Sequence, residues 1–246
     1  MDWLHSFRPT DYPAFTEPGL PKRMLRHLVR IGKITVGSKV LDAGCGRGEL
    51  TRFLDELSIE ASGIDEKLES VACAQKAATH LSYACCQASI SVPFPEQHFN
   101  VVLARDLPEY GCDLFGHRAL RATAHLLATL RPEGCLILMS RLDPLWSTRP
   151  GGHTQACFLK HLQCFPGLCQ VSCLADSLME TTTWNWMMGR KPRAGYITAV
   201  LTISQTLRSC REWEQIADQV FQNHRQTCCG WCENTGDSQR PSRIAA

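Results

Sequence analysis

The sequence predicts an α/β fold, a doubly wound seven-stranded sheet with helices on both faces, and two observations carry that prediction. The first is Lys39 to Leu54, KVLDAGCGRGELTRFL. An apolar run, Val40-Leu41, leads to Asp42, then glycines at 44, 46 and 48, then helically spaced Leu50, Phe53 and Leu54. This reads as a buried strand, a tight glycine turn and a helix, which lets backbone approach a ligand closely. The second is the alternation that follows. Strand-helix pairs are expected near 60–79, 81–86, 99–130 and 134–166. Two strands, 169–174 and 196–203, flank TTTWNWMMGRKPRAG, and a final helix spans about 207–223. Seven strands in this order imply that the last one runs antiparallel. Ahead of the glycine turn, Gly19 to Ile31 reads as a basic amphipathic helix. Leu20, Met24, Leu28 and Ile31 share one face, and Lys22, Arg26 and Arg30 mark a solvated one.

The glycine spacing restricts the ligand. A dinucleotide fingerprint needs a third glycine three residues after its second, and that position holds Glu49. The pattern is GxGxG with Asp42 two residues ahead and Cys45 between the first two glycines. It resembles motif I of the class I S-adenosylmethionine (SAM) dependent methyltransferases. The resemblance implies that Gly44, Cys45, Gly46 and Gly48 cradle the methionine portion of SAM and that Asp42 orients its ammonium. A second strand, Glu60 to Ile64, ends in Asp65. An acid there is placed to accept hydrogen bonds from both ribose hydroxyls, or, more plainly, to cap the next helix.

Two further segments extend the resemblance to the type 11 methyltransferase family, which includes quinone-biosynthesis C-methyltransferases. PFPEQHFNVVLARD (Pro93 to Asp106) joins a turn to a Phe-led strand, and LRPEGCLILM (Leu130 to Met139) reads as a helix end, a Pro-x-Gly turn and a buried strand. The resemblance covers roughly 39–140. It implies a Rossmann-like sheet of order 3-2-1-4-5-7-6, SAM as cofactor and S-adenosylhomocysteine as product. Gln87 replaces the family's adenine-reading Asp, and its amide oxygen can still accept from the adenine amino group. Ala88 and Arg105 complete the expected cofactor set. Asn100 replaces the Asp of FDVV, and Glu133 replaces the first glycine of LRPGG, a turn that does not strictly require it.

The strand order places ligands outside the carboxyl ends of the strands. The loops after strands four and five, RDLPEYGCD and RLDPLWSTRPGGHT, then supply acceptor contacts. Arg141, Arg149 and Trp146, with Trp184 and Trp186 further on, suit a small-molecule pocket. Asp106 and His153 are the candidate catalytic groups, His153 as general base. No Asn-Pro-Pro-Tyr-like tetrapeptide follows strand four, which weighs against adenine-N6 or glutamine-N5 methylation. The acceptor atom is not readable. A second reading is a SAM-binding or former methyltransferase domain serving as an interaction module.

A chain of 246 residues suffices for one domain. It is expected at 1–225, with a helical lead-in over 1–35 and a polar Cys-containing tail at 226–246. A net charge of +2 argues against a nucleic-acid partner. No apolar run is long enough to span a membrane. MDWLHSFRPTDYP lacks a signal-peptide layout, so the protein is expected to be cytoplasmic and its 14 cysteines reduced. Cys135, Cys169 and Cys173 read as small apolar strand residues. Cys229-x-x-Cys232, beside Cys228 and near His224, has metal spacing but lacks a second pair, so no metal site is expected.

Overall fold

A computed structural model describes residues 28–111, 113–142, 155–174, 195–203 and 208–227. Val40 and Leu41 are fully buried in the first strand, β1 (Lys39–Ala43). The chain continues through α1 (Glu49–Glu56), β2 (Glu60–Asp65), α2 (Leu68–Ala77), β3 (Ser82–Cys85) and β4 (Phe99–Arg105). It then forms α3 (His117–Ala128), β5 (Leu130–Leu142), α4 (Gln155–Gln163), β6 (Leu168–Leu174), β7 (Gly195–Thr202) and α5 (Cys210–Thr227). The sheet order is β3-β2-β1-β4-β5-β7-β6. The pairs β1–β2, β2–β3, β1–β4 and β4–β5 are parallel, while β7 runs antiparallel to both β5 and β6. This is the expected order with the expected antiparallel last strand.

Period-two alternation divides the core between the two faces of the sheet. Leu41, Val102, Leu136, Leu138 and Leu201 pack with Leu120 and Leu127 of α3, Phe158 of α4 and Trp213 of α5. Val40, Val101, Leu103 and Ile137 pack on the opposite face with Leu50 and Leu54 of α1 and with Leu28 and Val29. Leu28 to Ile31 are helical, the end of the expected lead-in helix, and the rest of that helix lies outside the described residues. Helix α5 runs to Thr227, beyond the expected boundary at 225, and the Cys228–Cys232 cluster also lies outside the described residues. No helix among the described residues is long and apolar enough to cross a membrane.

The LRPEG segment differs from expectation. It is not a helix end followed by a turn but an excursion inside β5. Phe99 pairs with Leu130 and Val101 with Cys135, so the residues between them bulge out of one otherwise continuous ladder. Glu133 takes φ +61°, the left-handed region, so this position does favour glycine. Glu133→Gly is expected to stabilise the fold by about 1 kcal/mol, less the chain entropy that glycine adds to the unfolded state. Urea unfolding midpoints check this; a lower midpoint in the variant would show that the Glu133 side chain outweighs its backbone strain. Asn100, the other departure nearby, has a structural role. Its Oδ1 accepts the Lys39 N–H at 2.9 Å and ties β4 to the start of β1. Cys135 is buried as expected, and burial pushes its thiol up to about 12.

Candidate functional site

The carboxyl ends of β1, β2 and β4 meet at the glycine turn. Gly44 and Cys45 both donate their N–H groups to the Ile64 carbonyl, at 2.8 and 3.0 Å, which clamps the turn to the end of β2. Gly44 has φ +82°, and a Cβ there would collide with the Arg105 carbonyl oxygen, so the turn and the end of β4 approach as only glycine permits. At Gly46 the circumstances are reversed. Its φ is +55°, and a Cβ would meet nothing within 4 Å, because the residue faces an open cleft.

That cleft is lined by Gly44, Gly46, Asp65, Cys86, Ala88, Arg105, Asp106 and Glu109, with Ile64, Glu66, Lys67, Ser70, Leu107 and Pro108 completing the wall. Asp65 is doubly anchored. Its Oδ2 accepts the Gly46 N–H at 2.9 Å, and its Oδ1 accepts the Lys67 N–H at 2.9 Å. The residue at the cap of α2 is Lys67, so Asp65 steadies the helix entry without being its cap. Lone pairs on both oxygens remain for a ligand.

Asp42 lies behind this wall. It is 0 % exposed and accepts hydrogen bonds from Thr51 Oγ1 at 3.0 Å and from Arg105 Nε at 3.0 Å, with Arg105 Nη2 at 3.4 Å. Burial alone would lower the guanidinium pKa of Arg105, but the charge and hydrogen bonds of Asp42 outweigh it and raise the value. Asp42 is thus engaged by Arg105, a lining residue of the cleft, and does not itself line it. Cys45 and Gly48 also sit behind the wall. Burial, then the charges of Asp42 and Asp65, push the Cys45 thiol far up, so it stays protonated.

Across the cleft, Asp106 has φ +46°, a strained conformation for a residue with a side chain, and its N–H bonds the Met139 carbonyl at 3.0 Å. Glu109 is 6 % exposed, and its Oε1 accepts the Ser89 N–H at 3.3 Å. The following residue, Tyr110, pins this loop from below through its hydroxyl, 3.0 Å from Thr123 Oγ1, which is 2.8 Å from His161 Nε2. Cys86 is pushed up to about 11 by burial, then by Cys85 and by the Glu109 and Asp65 charges.

The structure therefore brings together Gly44, Gly46, Asp65, Ala88, Arg105 and Asp106. Gln87 adjoins the cleft but is not among its lining residues; its carbonyl accepts the Ile90 and Ser91 N–H groups. His153, Trp146, Arg149, Trp184 and Trp186 lie outside the described residues, and Arg141 is described in its backbone only. Sequence reasoning assigned no role to Thr51 or Cys86, and took Glu109 only as one of the polar groups of the loop after strand four that could contact an acceptor. Thr51 and Glu109 carry no motif of their own, and only the approach of distant segments gives them partners.

Residues 40–134 match a family model described as a methyltransferase domain. The chain is similar to the ubiquinone biosynthesis O-methyltransferase of Bradyrhizobium diazoefficiens, 32 % identical over 116 residues, 46 % of this chain and 43 % of that one. The human mitochondrial ubiquinone biosynthesis O-methyltransferase is 31 % identical over 118 residues, 45 % of this chain and 31 % of the relative. The chain thus spans less than half the length of these curated relatives. Among solved structures, YcgJ of Bacillus subtilis superposes with a TM-score of 0.54 at 15 % identity, covering 76 % of this chain and 100 % of that one. Phosphoethanolamine N-methyltransferase 2 of Haemonchus contortus, in complex with SAM, gives 0.56 at 16 % identity over 78 % of this chain and 54 % of that one. The [4+2]-cyclase SpnF gives 0.54 at 17 % identity, with 74 % and 81 % covered, so this fold alone does not fix the reaction.

Proposed function

The chain carries a class I methyltransferase domain, and we propose that it transfers the methyl group of SAM to a small-molecule acceptor. The observation that carries this reading is the cleft itself. A glycine facing open space and an anchored carboxylate converge at the carboxyl ends of β1 and β2, beside the β1–β4 junction where the strand order reverses. These residues fit SAM. Gly46 allows close approach, Asp65 offers acceptors to two ribose hydroxyls, and Arg105 and Lys67 give positive charge to complement a carboxylate. Ala88 and Gln87 stand at the side suited to the adenine. The names of the curated relatives, ubiquinone biosynthesis O-methyltransferases, favour a small acceptor.

SAM supplies an activated methyl group on a sulfonium, which leaves as a neutral thioether. The chain's part is alignment and exclusion of water, since an in-line displacement needs little else. An oxygen or nitrogen acceptor also loses a proton. Asp106, in the cleft wall, and His153, in the segment after β5, are the groups assigned to take it.

Calorimetric titration with SAM and S-adenosylhomocysteine tests this. Both are expected to bind one-to-one, and Gly46→Val to weaken each by at least about tenfold as its methyls enter the open space. The left-handed backbone should cost that variant about 1–2 kcal/mol of stability as well. Gly46→Ala, with a Cβ that meets nothing, should bind better than the valine variant. Undiminished affinity in Gly46→Val would overturn the assignment, as would binding of NAD in place of SAM.

One observation favours the reading of a SAM-binding module without turnover: Arg105 occupies the carboxylate of Asp42. Formation of S-adenosylhomocysteine with a panel of phenols and amines separates the two. Binding without turnover across the panel would favour the module.

A further inference from the structure

Helices α3 and α5 face each other through a charged ladder. His117, Arg121 and His125 recur every four residues on α3, opposite Glu214 and Asp218 on α5. The contacts are His117–Asp218 at 3.2 Å, Arg121–Asp218 at 3.4 Å, Arg121–Glu214 at 3.3 Å and His125–Glu214 at 2.9 Å. Such rungs at a half-exposed helix interface contribute little individually. The His125 rung is different. This side chain is 3 % exposed, and its other nitrogen, Nδ1, lies 2.7 Å from the carbonyl oxygen of Ala88, a residue of the cleft wall.

The hydrogen inventory at this imidazole decides its role. A carbonyl oxygen only accepts, so Nδ1 carries a hydrogen and donates it. Nε2 then faces a carboxylate oxygen, which also only accepts when ionised. The arrangement is complete when both nitrogens carry hydrogens, and it then forms a charge-assisted chain from Glu214 through His125 to the Ala88 carbonyl. The neighbouring Ser89 N–H is held separately by Glu109. The Ala88–Ser89 peptide is thereby gripped from two sides, by groups on α3 and on the loop after β4.

We propose that His125 is a positioning residue for the cofactor: it fixes the Ala88 wall of the cleft and is itself oriented by Glu214 of α5. The proposal rests on the SAM-binding reading of the cleft. Around His125 the charged and titratable groups are Glu214 and Cys210 from α5 and Arg121 from α3, which shares the same Glu214 oxygen. Glu96 stands one step further out, accepting the Cys210 N–H at 3.0 Å.

The test measures S-adenosylhomocysteine affinity by calorimetry. His125→Leu is expected to weaken binding by about tenfold, the loss of a charge-assisted hydrogen bond. His125→Gln, which keeps one donor, should fall between the leucine variant and wild type. Glu214→Gln should weaken binding, because a neutral amide orients the imidazole less strongly than a carboxylate. Asp218→Asn removes another rung of the same ladder with no link to Ala88, and should leave affinity unchanged.

Hydrogen exchange at Ala88–Ile90 in the ligand-free protein is read in parallel. It should quicken in His125→Leu and not in Asp218→Asn. Should wild-type protein bind no S-adenosylhomocysteine, the methyltransferase reading fails, and the exchange arm still decides the link to Ala88. Three results would overturn the proposal: wild-type affinity in His125→Leu, unchanged exchange over Ala88–Ile90 in that variant, or an equal loss of affinity in Asp218→Asn. A stoichiometric zinc ion in the purified protein, lost on His125→Leu, would also overturn it. Nε2 would then be a metal ligand with Cys210 and Glu214, whose ligand atoms all lie within 4.8 Å of one another.

Discussion

Arg105→Leu is expected to destabilise the fold by about 3–5 kcal/mol, the penalty for leaving a buried charge without its partner. Asp42 is 0 % exposed, and without the guanidinium its carboxylate keeps only the Thr51 hydroxyl. The converse change should be milder. In Asp42→Asn the amide still accepts one bond, and Arg105, 19 % exposed along the cleft, can turn toward solvent. The double variant Asp42→Asn/Arg105→Leu should recover part of the loss, because both charges are then gone together. Urea unfolding of the four proteins measures the coupling. If Arg105→Leu cost less than about 1 kcal/mol, the pair would be behaving as an exposed one, and its assignment as the support beneath the cleft would be lost.

That ion pair also marks where the sequence stops being informative. The strand-turn-helix at Lys39 to Leu54 was legible because its signal is local: apolar alternation, glycine spacing and helical periodicity all lie within one short segment. Sheet order followed from the family resemblance that this segment and the two later motifs carry. Asp42 was read as facing a ligand because an acid at a strand end commonly does. Its partner, however, is Arg105 on the neighbouring strand, and β1–β4 pairing places the two together without any trace in the local pattern. LRPEG failed for a related reason. Its Pro-x-Gly chemistry marks a turn, but Leu130 and Cys135 pair with Phe99 and Val101 on either side of it, so it is a bulge in one strand. His125 was invisible in the same way. Its recurrence with His117 and Arg121 looks like an ordinary polar helix stripe until α5 supplies Glu214 and Asp218 opposite it.

Asp65 yields the sharpest test of the ligand assignment, since both of its oxygens already hold backbone N–H groups. Asp65→Ala should weaken S-adenosylhomocysteine binding by about 2–4 kcal/mol, two charge-assisted hydrogen bonds. It should also lose stability, because the Gly46 and Lys67 N–H groups lose their acceptor. A loosened glycine turn would weaken any ligand in the cleft, so the affinity loss alone does not identify the ribose contact. A ligand cycle does. Adenosine and 2′-deoxyadenosine are each titrated against wild type and Asp65→Ala, and the two differences are compared. If Asp65 accepts the 2′-hydroxyl, wild type should prefer adenosine by about 1.5–3 kcal/mol and the variant should show almost no preference. Turn loosening without a ribose contact predicts the same preference in both proteins, with both ligands weakened alike. That second outcome would leave Asp65 as an anchor for Gly46 and Lys67 and remove it from the cofactor set.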